Sequence, residues 1–403
     1  MSAARTVASC ARPMVLATAR WTPAQDEVIG VADRLAAVSH SDGFNGVVHR
    51  ARPKHRGETA VKHYAGIDVS LEVSHVCVVD DLGRVVKEPI AGSDPRSLAE
   101  SLEPWRGSLV KVGLEAGPLS QWLHAGLARA GLPVECLETR QLKAVLSASP
   151  VKTDRKDAHG IAQVVRMGWY RQVHVKSRGA QERLALVTAR KLLVNKLKDV
   201  ENGIRGLLRG FGLKVGQVGR SKFEWRVREL VSLEPALHSL FEPLLGARGA
   251  LRSQFALLDR HVRQIARRDA DCRRLMSMPG VGPVVALTYQ AAMDNPGRFA
   301  HSRSVGAHFG LTPRRYNSGE IDRSGQISKC GDELVRTALY EAATTLLSRV
   351  ARFSALKAWA VRVAKARGLK RARVALARKM AVVLHRMWQD GTEFRWSKAE
   401  IAA

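Results

Sequence analysis

The chain has 403 residues, enough for two or three domains that each have a hydrophobic core. Its 65 Lys and Arg residues outnumber 37 Asp and Glu residues, which gives a net charge of +28 and a pI near 10.7. Because 45% of the residues are hydrophobic, this composition predicts a folded protein with a positive exterior, whose expected partners are phosphate backbones. No apolar run approaches the roughly 20 residues that cross a bilayer, so we predict no membrane partner.

Two further features bound the class of protein. The five cysteines are dispersed, with no CxxC pair and no matching histidine spacing, so the sequence predicts no zinc site and favours a reducing cytosol. Residues 1–62 are rich in Ala, Arg and Ser and have little periodicity, which predicts a disordered basic arm or an over-long start rather than a targeting segment.

Residues 63–178 alternate between strand and helix patterns. Runs rich in β-branched residues predict strands at 64–69, 75–79, 84–87, 109–114 and 133–137. Helices are predicted to begin at Pro95, at Ser120 and near Asp154. The resulting order, β-β-β-α-β-α-β-α, predicts a mixed α/β sheet domain.

Helical periodicity dominates residues 179–274, which we predict to be a helical connector. Glycines between Gly203 and Gly219 are expected to interrupt it with a loop between two helical arms. Those arms are predicted to form a coiled-coil-like hairpin or a solvated spacer.

Residues 275–403 form a third, mainly helical region with two features that fit polyanion binding. The glycine-rich turn around Gly280 and Gly282 resembles the hairpin of a helix-hairpin-helix element, in which backbone N–H groups face a phosphate, although an ordinary helix junction has the same composition. Between Arg349 and Arg386 there are twelve Lys or Arg residues and no acid. We expect this basic tail to meet nucleic acid through residues that include Lys370, Arg371 and Arg373.

Two acids follow or lie within apolar strands. Asp68 stands in a strand where an unpaired charge is costly to bury, and a metal ion would remove that cost. Glu115 follows the strand predicted at 109–114, and strand ends are where open α/β sheets place ligand sites. The two carboxylates are therefore expected at one edge of the sheet.

Asp154 and Asp157 lie three residues apart, so on a helix they share a face and can point toward the same place. A purely structural explanation is that Asp154 caps the helix and Asp157 suits its dipole. The basic residues around them, Lys152, Arg155 and Lys156, favour instead a metal site that is approached by phosphate. Together the four acids predict a divalent metal site inside a basic surface.

Six blocks in chain order resemble the IS110-type insertion-sequence transposases, which include the Piv-like DNA invertases. The blocks are GIDVS at 66–70, LEAG at 114–117, KTDRKDA at 152–158, MPGVG at 278–282, FGLTPRRYNSG at 309–319 and ISKCGD at 327–332. The resemblance runs from about Tyr64 to the basic tail.

The resemblance implies a RuvC-like, ribonuclease-H-type fold for residues 63–178 and a transposase domain in residues 275–403. It implies that Asp68, Glu115, Asp154 and Asp157 bind Mg²⁺ or Mn²⁺, as two ions, without a nucleotide cofactor.

The resemblance also assigns a nucleophilic serine in the transposase domain. Ser318 is the matching position, with Ser324 and Ser328 as rivals. The nearby cations Arg314, Arg315, Arg323 and Lys329 are expected to hold the DNA phosphate.

The implied function is cleavage and exchange of DNA strands in an insertion sequence, by a homodimer or higher oligomer in the bacterial cytoplasm at the nucleoid. The implied partners are DNA and a structured guide RNA encoded by the element. Two alternatives stay open. The first is another DNA-cutting enzyme, either a metal-dependent nuclease like a Holliday-junction resolvase or a site-specific DNA invertase. The second is a non-enzymatic architectural DNA-binding protein.

Overall fold

The computed structural model describes residues 61–147 and 152–396, so the expectation for residues 1–62 lies almost wholly outside the described residues. The N-terminal part is a mixed sheet with four α-helices. Its elements are β1 (His63–Val69), β2 (Val73–Asp80), β3 (Val85–Lys87), β4 (Ile90–Gly92), α1 (Pro95–Leu102), β5 (Leu109–Glu115), α2 (Ser120–Arg129), β6 (Val134–Leu137), α3 (Thr139–Leu146) and α4 (Asp154–Met167).

The sheet has the strand order β3-β2-β1-β5-β6, with β4 paired to β2. The pairs β1/β2 and β2/β3 are antiparallel, whereas β1, β5 and β6 run parallel, so the ends of β1, β5 and β6 meet at one edge. The predicted mixed α/β domain is confirmed, and α1 begins as predicted, with the Asp94 carboxylate accepting the backbone N–H groups of Arg96 and Ser97. The sequence analysis missed β4 and α3.

Helix α4 lies directly against the backbone of the two central strands. Gly66 of β1 and Gly113 of β5 are register partners, so together they leave a shallow floor without side chains. A Cβ atom on Gly66 would lie 2.3 Å from both the Ala158 carbonyl oxygen and the Ala162 backbone nitrogen of α4. A Cβ atom on Gly113 would lie 2.3 Å from a methyl carbon of Val165. The close approach of α4 therefore depends on both glycines.

The connector is a pair of long helices, α5 (Arg178–Gly210) and α7 (Pro235–Arg268), with α6 (Phe223–Val231) at its far end. The predicted interruption from Gly203 is wrong at its start, because α5 continues through Gly203 and Gly206 to Gly210. Helix propensity costs of about 1 kcal/mol per glycine are offset here by packing, since Ile204 and Leu208 are buried against α6 and α7.

The C-terminal part is mainly helical, as predicted, and carries one exposed β-hairpin. Its elements are α8 (Ala270–Met276), α9 (Pro283–Met293), α10 (Ser304–His308), β7 (Pro313–Ser318), β8 (Ile321–Ile327), α11 (Glu333–Ser348), α12 (Ala355–Arg367) and α13 (Leu369–Asp390). Helix α9 is buried from Ala286 to Met293 and forms the centre of a core that also takes side chains from α5 and α7. The near ends of the connector therefore share the C-terminal core.

None of the helices within the described residues is both long enough and apolar enough to cross a membrane.

We predict that Gly66→Ala destabilises the protein by about 1–3 kcal/mol, because the added methyl group meets helix backbone that cannot rotate away. The same displacement of α4 should lower activity that depends on Asp154 and Asp157. Urea denaturation followed by circular dichroism measures the first effect. The control is Gly107→Ala, since a Cβ atom at Gly107 has nothing within 4 Å. Equal stability of the two variants would contradict the packing argument.

Candidate active site

Two strands present an acid two residues after the glycine that supports α4. In β1 the sequence is Gly66-Ile67-Asp68, and in β5 it is Gly113-Leu114-Glu115. Alternate residues of a strand point to the same face, so Asp68 and Glu115 project toward the α4 side of the sheet. Because β1 and β5 are parallel, the two carboxylates also lie at the same edge, as the sequence predicts.

Helix α4 begins at this edge and brings the other two acids to it. Thr153 is the N-cap residue, and its hydroxyl accepts the backbone N–H of Lys156 at 3.3 Å. Asp154 is therefore the first residue of the helix, not its cap, which removes the capping role considered above for Asp154. Asp157 is half-buried in the first turn, and Asp154 is exposed.

The strand acids are coupled electrostatically to the acids of α4. Burial raises the pKa of Asp68 above its ordinary value, and repulsion from Asp157 and Asp154 raises it further. The pKa of Glu115 is raised by burial first, and then by repulsion from Asp68 and Asp157. Asp157 therefore acts on both strand acids, and Asp154 acts on Asp68.

Several neighbours of this cluster were not predicted. His75 lies beside Asp68 in the register of β1 and β2, and it lowers the pKa of Asp68. The Thr139 hydroxyl donates to the Ala116 carbonyl oxygen at 2.9 Å. Thr139 also lies beside Glu115 and lowers the pKa of that carboxyl. Thr139 follows β6, so the strand-end rule that identified Glu115 could have found it. The pairing of His75 with Asp68 depends on register, which the sequence alone does not fix.

The basic residues predicted around Asp154 and Asp157 are divided between two roles. Lys152 lies with its Nζ atom 3.9 Å from an Asp157 carboxylate oxygen, and Lys156 is exposed. Arg155 instead donates through Nε to the Glu88 carboxylate at 2.6 Å. Arg155 is therefore paired with an acid of the same chain, whereas Lys152 and Lys156 are exposed beside the acids of α4.

The carboxylates fit a divalent ion in donor type and charge, because hard cations such as Mg²⁺ prefer oxygen ligands. The raised pKa values of Asp68 and Glu115 reflect burial first and then repulsion from neighbouring carboxylates that nearby cations do not fully compensate. In the described part of the chain, no three such side chains are close enough together to ligate one ion. Like charges separate when no cation is between them, so the carboxylates would have to draw together on binding.

Ser318 lies far along the chain from the acids, at the end of β7. It pairs with Ile321 across a two-residue turn in which Gly319 adopts a left-handed φ of 55°. All residues of β7 are exposed, and an ion pair between Arg315 and Asp322 (2.6 Å) braces the tip of the hairpin. Among the described residues, the Ser318 hydroxyl has no hydrogen-bond partner, so it is free to meet a ligand.

The rival serines lie elsewhere on the hairpin. Ser324 is exposed in the middle of β8, opposite Arg315. Ser328 is half-buried after β8, where its hydroxyl accepts the Cys330 backbone N–H at 3.4 Å. That structural bond makes Ser328 a weaker candidate than Ser318 or Ser324.

The base of the hairpin is locked against the body. A Cβ atom on Gly310 would lie 2.1 Å from the Cys330 carbonyl oxygen, and one on Gly331 would lie 2.1 Å from the His308 carbonyl oxygen. Both glycines also have a positive φ. Arg140 of α3 donates to the Cys330 sulfur, so this base also contacts the sheet domain next to Thr139. A seven-residue strand such as β8 spans roughly 20 Å, which separates the tip from this anchored base.

The remaining predicted phosphate contacts are dispersed. Gly280 has a φ of 90°, and its Cβ position lies 2.5 Å from the Ala342 carbonyl, so this glycine is needed for packing of the α8–α9 turn on α11. Gly282 precedes α9 and has nothing within 4 Å of its Cβ position. The other predicted cations lie on the hairpin, at its base or on α13: Arg314, Arg315, Arg323, Lys329, Lys370, Arg371 and Arg373.

An acidic sheet edge within a strongly basic chain defines the class of protein, an enzyme that acts on nucleic acid. Comparisons with known proteins agree with this class. The family model described as "Transposase IS116/IS110/IS902 family" matches residues 272–359, and a model for DEDD transposases of the IS110 group matches residues 65–212. The two matches cover the sheet domain, much of the connector and most of the C-terminal part.

Two insertion-sequence transposases support the same assignment. The transposase for insertion sequence element IS1111A of Coxiella burnetii is 30% identical over 333 residues, covering 79% of this chain and 87% of that protein. The transposase for element IS1328 of Yersinia enterocolitica is 24% identical over 240 residues, covering 59% and 71%. The RuvC structure from Thermus thermophilus is similar at 17% identity and a TM-score of 0.22, covering 28% of this chain and 100% of that one.

The chain therefore belongs to the IS110-type family of insertion-sequence transposases. It is a transposase, an enzyme that acts on DNA.

We predict that Asp68→Asn raises the thermal unfolding midpoint at pH 7.5 in EDTA. Because the pKa of Asp68 is raised on folding, the folded chain binds more protons than the unfolded chain in the pH window between the ordinary and the raised pKa. Its stability therefore falls as pH rises through that window and remains lower above it. Asn carries no charge, so it removes this penalty, and the difference from the native chain should vanish below the ordinary pKa of 3.8.

Asp199→Asn on α5 is the matched control, because its exposed pairing with Lys196 at 3.5 Å should change stability by less than about 1 kcal/mol at any pH. A lower midpoint for Asp68→Asn than for the native chain at pH 7.5 would contradict the repulsion argument.

Proposed function

We propose that this transposase cleaves and exchanges DNA strands through the four-acid site together with a nucleophilic serine, Ser318. The observation that supports the proposal is that Asp68 and Glu115 lie at one sheet edge and that burial, followed by repulsion from neighbouring acids that include Asp157, raises the pKa of both. We further propose that the sheet domain is RuvC-like, with the functional division 63–178, 179–274 and 275–403.

The acids would hold one or two divalent ions, with Mg²⁺ the natural choice and Mn²⁺ an alternative. Such ions orient a scissile phosphate and stabilise the charge that develops on the attacking and leaving oxygens. Asp68 and Glu115 are fixed by strands, whereas Asp154 and Asp157 are fixed by the first turn of α4. Rigid elements of this kind hold a site more accurately than loops do.

Ser318 would attack the scissile phosphorus through its Oγ atom. The new O–P bond to serine forms as the P–O bond within the DNA strand breaks, and the leaving oxygen becomes a free hydroxyl by taking up a proton equivalent to the one that the serine hydroxyl loses. Attack on this phosphoserine ester by the hydroxyl of another strand then restores DNA and frees the serine. Because each step exchanges one phosphate ester for another, no nucleotide cofactor is needed.

The separation of the hairpin tip from its base supports a composite site. The base contacts the sheet domain through Arg140 and Cys330, while Ser318 lies roughly 20 Å along the hairpin. We propose that the serine of one chain works with the acids of another, in a homodimer or higher oligomer. A structured guide RNA, the helix-hairpin-helix role of Gly280 and Gly282, and action in the cytoplasm at the nucleoid belong to the same proposal.

The test measures excision of the element from a plasmid, together with protein-linked DNA on denaturing gels. Ser318→Ala should lose both products by on the order of 10³-fold or more, because no other group replaces a missing nucleophile. Ser324→Ala, an exposed serine of the same hairpin, is the matched control and should retain both. If Ser324→Ala loses both and Ser318→Ala does not, then Ser324 is the nucleophile.

The nuclease alternative makes a different prediction for the same variants. A resolvase-like enzyme that activates water would keep strand cleavage in Ser318→Ala and form no protein-linked DNA. Asp68→Asn should abolish cleavage in either enzyme, and an architectural DNA-binding protein would be unaffected by it. Normal excision by both Ser318→Ala and Ser324→Ala would exclude a nucleophile at either position.

A further inference from the structure

A groove of about 1150 Å³ runs between the β7–β8 hairpin that carries Ser318, called the serine hairpin below, and helices α12 and α13 of the basic tail. One wall is the hairpin, from Ser324 to Ile327, and the opposite wall is α13 with the end of α12. We call this space the hairpin groove. Its lining includes Leu311, Trp359, Arg371, Val374, Lys379 and Val382.

The charge of the hairpin groove has a single sign. Five of its lining residues are cations, none is an acid, and within the described residues none of the five forms an ion pair with a carboxylate. By contrast, basic residues of the connector such as Arg190 and Arg248 pair with acids of neighbouring helices. Burial and the charge of Arg362 lower the pKa of Lys379, as expected for a cation without a compensating anion. The groove therefore fits a polyanion.

The floor of the groove is apolar, which restricts the kind of polyanion. Leu311, Val374 and Val382 line it together with the Trp359 ring. In a duplex the apolar faces of the bases are stacked on one another and do not meet such a surface, whereas a single strand exposes them. The volume of the groove is slightly above the range of about 300–1000 Å³ that is typical of pockets for drug-sized ligands, which suits a few nucleotides of one strand.

Trp359 and Lys379 offer the two contacts that a nucleotide needs. The Lys379 ammonium lies over the Trp359 ring, 4.2 Å from its centroid. Lysine has a long, flexible side chain, so an incoming base can displace it from the ring and leave its ammonium beside the adjacent phosphate.

We propose that the hairpin groove binds a single-stranded segment of nucleic acid, with a base stacked on Trp359 and phosphates held by Arg371, Lys379 and their neighbours. The segment contacts β8 on one side and α13 on the other. Since the tip of the hairpin is exposed and its base alone is locked, an occupied groove braces the hairpin. Any effect of this bracing on catalysis rests on the proposed role of Ser318, whereas binding of nucleic acid in the groove does not depend on that role.

The experiment measures fluorescence anisotropy of labelled 12-nucleotide RNA, DNA and duplex DNA of one sequence with the full chain. We expect the native chain to prefer either single strand, and the two single-strand arms identify which nucleic acid it takes. The double variant Arg371→Gln/Lys379→Gln should weaken single-strand binding about tenfold. It should also reduce the magnitude of the slope of log K against log salt concentration by about 1.4, because each of the two lost phosphate contacts contributes about 0.7. Lys196→Gln/Arg209→Gln on α5 removes the same charge and should change neither.

Two substitutions of Trp359 distinguish stacking of a base on the ring from simple packing of an apolar side chain. Trp359→Phe keeps an aromatic face and should bind as the native chain does, whereas Trp359→Leu should lose about tenfold in affinity for single strands. Hydrogen exchange of the β7 and β8 amides should slow when a single strand binds, and should not slow in the Arg371→Gln/Lys379→Gln variant.

Three results would overturn the proposal. These are equal binding of the duplex, equal binding by Trp359→Leu and Trp359→Phe, and binding by Arg371→Gln/Lys379→Gln as tight as by the Lys196→Gln/Arg209→Gln control. If none of the three oligonucleotides binds, the proposal of a nucleic-acid site is also rejected, and an acidic protein segment becomes the candidate occupant of the groove. Binding is measured again in Ser318→Ala, so a wrong nucleophile assignment leaves this result unchanged.

Discussion

The contact between α4 and the two central strands is the constraint on which the site depends. Gly66 and Gly113 face each other across β1 and β5 and allow the helix to lie on bare backbone. The acid two residues later in each strand points to the same face, at the end where α4 begins. A larger residue at either glycine would lift the helix and separate the strand acids from Asp154 and Asp157. The repeated Gly-x-acid pattern therefore serves packing and chemistry together.

The cost of this arrangement is electrostatic. Burial raises the pKa of Asp68 and of Glu115, and repulsion from neighbouring carboxylates raises both further. The chain as a whole is strongly positive, yet the nearest cations relieve the acids little, because Lys152 is 3.9 Å from Asp157 and Arg155 is bound to Glu88. A divalent cation bound at the proposed site would remove this repulsion.

Much of this could be predicted from the sequence, because the decisive signals are local. Apolar runs that contain β-branched residues identify β1 and β5, and a strand end followed by an acid identifies Glu115. What the sequence could not provide depends on register or on packing between distant elements. His75 becomes a neighbour of Asp68 only through strand pairing, and α5 continues past Gly203 because tertiary burial outweighs helix propensity. The hairpin groove joins β8 to α13, more than 40 residues apart, and no local pattern reveals it.

The serine hairpin combines a rigid base with a tip that contacts little. Gly310 and Gly331 fix the base so closely that added side chains would overlap backbone, and Arg140 connects that base to the sheet domain. Rigidity at the base fixes the direction of the hairpin, whereas Ser318 at the tip is exposed. In the proposed composite site, this exposure would let the Ser318 hydroxyl reach a substrate held by another chain. Assembly on nucleic acid would then bring the serine of one chain to the acids of another.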